Sequence, residues 1–114
     1  MTDPHDAPSA IELLAAVRAW IDSDVIPATD GRLQFHARVA ANVLGMVERE
    51  IELGPDQAVA HRARLDALGV ASDAELAAQI RARLLDDRAE ELRSLLTEAV
   101  TDKLAVANPR YLEP

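Results

Sequence analysis

The sequence predicts an all-α fold, a compact bundle of about five helices around a central helix at about residues 31–53. Three observations carry that expectation. Apolar residues make up 49% of the chain but aromatics only 3%, so the core must be built from Ala, Leu, Val and Ile. With Glu and Arg these include several of the strongest helix formers. Apolar residues recur at three- and four-residue spacings in several segments, the signature of amphipathic helices. No segment alternates apolar and polar residues as a half-buried strand does. At 114 residues the chain is long enough for one domain with a real core. The expected organisation is a flexible leader at residues 1–8 and a single helical domain at 9–114.

Ser9-Ala-Ile-Glu12 reads as a capping box that opens the first helix. Leu13, Leu14, Val17, Trp20, Ile21 and Val25 form its apolar stripe, and Pro27 ends it. The central helix follows from Gly31. Its apolar residues, Leu33, Phe35, Val39, Val43, Leu44, Met46, Val47 and Ile51 among them, cover more than half the circumference. That arc is too wide for a helix with one neighbour. On the remaining side Ala37, Ala41 and Gly45 form a ladder of small residues. The expectation is a second helix, from this chain or a partner, packed on the ladder; the alternative is a plain solvent face.

Gly54-Pro55 reads as the end of the central helix, by a left-handed cap and a proline stop. A weaker helix follows over residues 56–68, with Val59, Leu65 and Leu68 as its apolar face, and Gly69 ends it. Ser72-Asp-Ala-Glu75 is a second capping box, opening a helix with the spine Leu76, Ile80 and Leu84. Asp87-Arg-Ala-Glu90 reads as a third helix start. The last helix carries Leu92, Leu95, Leu96, Ala99 and Val106, and Asn108-Pro109 stops it.

Net charge is −8, which disfavours nucleic acid and anionic membranes, since both select for a cationic footprint. No apolar run approaches the roughly 20 residues of a membrane span. There is no Cys, hence no thiolate nucleophile or thiolate metal site. No Gly-rich phosphate loop, nucleophile elbow or His-Glu-x-x-His motif occurs. No catalytic residue, metal or cofactor is therefore expected, and a cytoplasmic location is the default. Asp86, Asp87, Glu90 and Glu91 cluster, but acidic residues at a helix start are expected from the helix dipole. Glu48 and Glu52 read as a solvated face.

Polar side chains inside apolar arcs are the candidates for function. Arg32, His36 and Glu50 fall within the arc of the central helix, and Lys103 within that of the last. Arg32 and Glu50 lie near helix ends and can reach water. His36 lies a full turn inside, where a neutral ring hydrogen-bonded in the core is the structural reading. The sharper reading is an anion or ligand site built from Arg32, His36, Arg38, Asn42 and Lys103, suited to phosphate or carboxylate. Gln34, Arg38 and Asn42 follow at four-residue steps as one polar ridge, most simply a solvated face. The broad apolar arc also predicts a homo-oligomer, such as a dimer, or another protein partner.

Three stretches together resemble a known family: Pro8-Ser-Ala-Ile-Glu-Leu-Leu14, Gly31-Arg-Leu-Gln-Phe-His-Ala-Arg-Val-Ala-Ala-Asn42 and Asp102-Lys-Leu-Ala-Val-Ala-Asn-Pro-Arg-Tyr111. They resemble uncharacterised bacterial helical domains found beside, or fused to, proteins similar to aminoglycoside phosphotransferases, often near acyl-CoA dehydrogenase-like enzymes. The resemblance spans about residues 8–111. It implies a neighbourhood, with a phosphotransferase-like protein as the implied partner, rather than a reaction.

Overall fold

The computed structural model describes residues 4–114. The chain divides into two compact units, Met1–Glu52 and Leu53–Pro114. Its helices are α1 (Ala10–Trp20), α2 (Gly31–Leu68), α3 (Asp73–Arg81) and α4 (Ala89–Ala107). The described residues contain no strand, so the chain is all-α as expected. The expected five-helix bundle is not found: three long helices, α1, α2 and α4, stand in its place. The first three residues of the expected leader lie outside the described residues; residues 4–8 are exposed and non-helical.

The helix count differs mainly because Gly54-Pro55 does not break the chain. Helix α2 runs through it for 38 residues, with Pro55 inside. Proline deletes one N–H donor and collides with the preceding turn, at a cost of about 3 kcal/mol in a helix interior. Part of proline's objection to helix in the residue before it is a clash with that residue's Cβ. Gly54 has none, which removes that part.

In the first unit, the Ser9 box forms as read. The Glu12 amide donates to Ser9 Oγ at 3.2 Å, and the Ser9 amide donates to Glu12 Oε1 at 3.3 Å. After Trp20 the chain widens into a π-helical turn, Ile21–Val25, closed by the Ile26 amide donating to the Ile21 carbonyl at 2.9 Å. Gln34 reaches back from α2 and donates to the Ile26 and Thr29 carbonyls at 3.0 and 2.9 Å. It is therefore a turn clamp rather than part of a solvated ridge. Ile21, Ala37 and Ala41 are buried together, with Val25, Ile26 and Leu44 packed against them. The small-residue ladder is thus covered, and by the chain's own first helical segment.

In the second unit, Leu65, Leu68, Val70, Leu76 and Leu85 form the core, joined by Leu92 and Leu95. α2 ends at Gly69, whose φ of +72° places it in the left-handed region that glycine enters freely. The Gly69 amide donates to Asp66 and the Val70 amide to Leu65, both at 3.0 Å, which makes a Schellman cap. Val70 and Leu65 then meet in the core. α3 ends the same way, with Arg83 at φ +64° and the Leu84 amide on the Gln79 carbonyl at 3.0 Å. That early stop leaves Leu84, expected on the buried spine, 65% exposed. At the Ser72 box, the Glu75 amide donates to Ser72 Oγ, and Glu75 accepts from the Ala71 amide rather than from Ser72. The third predicted start is not capped by Asp87: a 3-10 turn, Asp86–Arg88, precedes α4, which has no side-chain cap.

Candidate functional site

An ion pair joins α1 to α2 in the first unit. Arg18 on α1 grips Glu48 on α2, with Nε donating to Oε2 at 2.6 Å and Nη2 to Oε1 at 3.1 Å. Glu48 is buried, not on the solvated face expected of it. At about 100° per residue, Glu48 continues the line of Ala37, Ala41 and Gly45. The small residues admit the turn that follows α1, and the carboxylate at the end of the row holds α1 through Arg18. The hydrogen bond from Arg18, above all, holds the Glu48 carboxyl below the usual carboxylate range; burial opposes the shift, and the charges of Arg18 and Arg49 assist it.

With Ile21, Val25 and Ile26 packed on the ladder and Arg18 on Glu48, the opposite side of α2 is left exposed. Phe35, Val39, Val43 and Met46 lie on that side and are 62%, 44%, 50% and 37% exposed. Leu33, Val47 and Ile51 flank them and are exposed too. The apolar stripe of α1, Leu13, Val17 and Trp20, is likewise exposed. A monomeric soluble protein rarely leaves so many large apolar side chains together in water.

The sequence-predicted polar residues fall on this frame as follows. Arg32, His36, Arg38 and Asn42 are in the first unit and Lys103 in the second, and all five are exposed. The core position expected for His36 is not found, because the arc it belongs to is uncovered. Its ring instead stands 5.8 Å from that of Phe35, inclined at 55°. Arg32 and His36 share the bare side of α2, while Arg38 and Asn42 lie to one edge of it.

The second unit holds a buried cation that the sequence reading missed. Arg64 is 8% exposed. Its Nη2 donates to Asp102 Oδ2 at 3.1 Å, and its Nη1 lies 3.8 Å from Glu98 Oε1. Nη2 also lies 3.3 Å from His61 Nδ1, and His61 Nε2 is 2.7 Å from Asp73 Oδ1. The tautomer with its proton on Nε2 satisfies both contacts: it donates to Asp73 and accepts from Arg64. Gln57 donates to the Asp102 carbonyl at 2.9 Å. The network ties α2, α3 and α4 together and reads as structural. Arg64 Nε has no partner. A surface groove of about 500 Å³ runs along α4, lined by Leu85, Ala89, Leu92, Leu96 and Val100 among others.

Among the described residues, no cluster of His, Asp or Glu is placed to hold a metal ion, and no helix is long and apolar enough to cross a membrane. The acidic cluster at the start of α4 is drawn partly into local pairs, Arg83 with Asp86 and Arg88 with Glu91. A family model described as a domain of unknown function, DUF6285, matches residues 27–111. That span contains all of α2, α3 and α4. No curated protein and no solved structure matches the chain.

Proposed function

The chain belongs to the DUF6285 family, and from its bare helix face we propose that it is a protein-interaction or accessory module rather than an enzyme. Its partner is a phosphotransferase-like protein, a further copy of itself, or both, and it works in the bacterial cytoplasm. The observation that carries this reading is the face of α2 bearing Phe35, Val39, Val43 and Met46, exposed opposite the ladder that the Ile21–Val25 turn covers. The phosphotransferase-like partner rests on the resemblance of the three sequence stretches. Size-exclusion chromatography with light scattering tests the reading, on the chain alone and mixed with the phosphotransferase-like protein encoded nearest to it. A mixed complex or a homo-oligomer supports the module. A monomer in both runs overturns it.

A second reading is a small module that binds a phosphate or acyl-CoA-type anion through the first-unit residues Arg32, His36, Arg38 and Asn42. One observation favours it: none of the described ion pairs uses Arg32 or Arg38, so these cations are available. Under this reading Arg38→Ala and Asn42→Ala abolish phosphate binding in calorimetry and leave the fold intact. Under the first reading both variants bind their protein partner and show no anion effect.

A further inference from the structure

Six residues on the first half of α2 follow one another at alternating steps of four and three: Arg32, His36, Val39, Val43, Met46 and Glu50. That is the spacing of a coiled-coil seam. All six are exposed, and all six lie on the side of α2 away from Ala37 and Ala41. The seam is apolar in the middle and oppositely charged at its ends. Arg32 and Glu50 stand about 27 Å apart along the helix at 1.5 Å per residue. Neither takes part in any ion pair among the described residues.

We propose that this seam joins two copies of the chain in an antiparallel pair, with Arg32 of each copy against Glu50 of the other. The proposal rests on the interaction reading above and names its partner. The charge order singles out a second copy. A two-fold axis at the level of Ala41 brings opposite one another residues equally far from 41 along the helix. Arg32 then meets Glu50, His36 meets Met46 and Val39 meets Val43, each pair occurring twice by symmetry. Every seam position finds a complementary one, and both orphan charges gain a partner. A parallel pair would set Arg32 against Arg32 and Glu50 against Glu50, which like-charge repulsion disfavours. Phe35 and Val47 border the seam and extend the apolar contact to its flanks. The first-unit segment packed on α2, Ile21 with Val25 and Ile26, lies on the opposite side, and the seam's side chains stay exposed.

The test is sedimentation equilibrium of the full chain, with the two charge reversals and their combination. Wild type is expected to sediment as a dimer. Arg32→Glu and Glu50→Arg each place like charges at both ends of the seam, and each should raise the dimer Kd by roughly tenfold or more. The double swap R32E/E50R restores opposite charges and should return the Kd to within about threefold of wild type. All are surface changes, and circular dichroism checks that helicity is kept. A dimer indifferent to the single reversals, or not rescued by the swap, overturns the antiparallel seam while leaving self-association standing. A monomeric wild type that still binds the phosphotransferase-like protein overturns the second copy as occupant but keeps the interaction reading. A wild type that binds neither overturns both.

Discussion

Arg18 and Glu48, 30 residues apart in the chain, meet in a two-pronged pair at 2.6 and 3.1 Å. Fork-to-fork contact between guanidinium and carboxylate fixes orientation as well as distance. It holds α1 on the small-residue side of α2. The consequence for function is indirect but large: the apolar side of α2 that faces away from α1 is left for something else.

The pair makes the first unit sensitive to acid. A carboxyl held below its ordinary range in the folded state stabilises the fold above its unfolded-state pKa. That contribution is lost as pH falls through the folded-state value. Thermal melts between pH 7 and pH 3 should therefore show stability falling below the ordinary glutamate pKa of about 4.3. Glu48→Gln should melt lower than wild type at pH 7 and show a shallower acid dependence. Parallel pH profiles for the two proteins would contradict this.

The ladder should discriminate sharply by size. Ala37 is 8% exposed, packed with Ile21 of the π-helical turn, so Ala37→Leu forces that turn away from α2 and should cost about 1–3 kcal/mol in chemical denaturation. Gly45→Ala should instead be neutral or stabilising, by up to about 1 kcal/mol. A Cβ there would stand 3.3 Å from the flexible end of Arg49 and 4.0 Å from Arg18 Cδ, with no backbone in the way.

Much of this was legible in the chain, and the failures have physical causes. Ser9 and Ser72 marked their helix starts because capping is local chemistry. Ala37, Ala41 and Gly45 announced a covered face because their spacing is helical. Gly54-Pro55 misled because its ordinary meaning is a stop, and the missing Cβ that lets α2 continue also suits glycine to a cap. Glu48 misled because its partner is 30 residues away; its place on the ladder line was the available signal. Arg64 and Asp102, 38 residues apart, left no comparable mark. His36 fell on an apolar arc, and the arc proved to face outward.

Removing one partner of the buried Arg64 should be costly. Asp102→Ala strips its shortest carboxylate contact and should destabilise the second unit by about 1–3 kcal/mol. Arg64→Met/Asp102→Leu, which removes both charges and leaves no buried ion unpaired, should recover most of that loss. Urea titrations of the single and double variants check it, and a double variant no better than Asp102→Ala would contradict it.

Arg83 carries a left-handed backbone that only glycine adopts without penalty, at φ +64°. Its ion pair with Asp86 is exposed and contributes little. Arg83→Gly should therefore raise stability by about 1 kcal/mol, read as a higher denaturation midpoint.

The central claim is that the outward face of α2 is where this chain joins another protein. Sedimentation velocity of wild type beside Val43→Asp tests it most directly, with Ile80→Asp on α3, an exposed apolar residue of the second unit, as the control. The expected result is an assembled wild type, an assembled control, and a Val43→Asp protein that keeps its helicity but sediments as a monomer. If Val43→Asp assembles as wild type does, with itself and with the phosphotransferase-like protein, the outward face of α2 is not the interface.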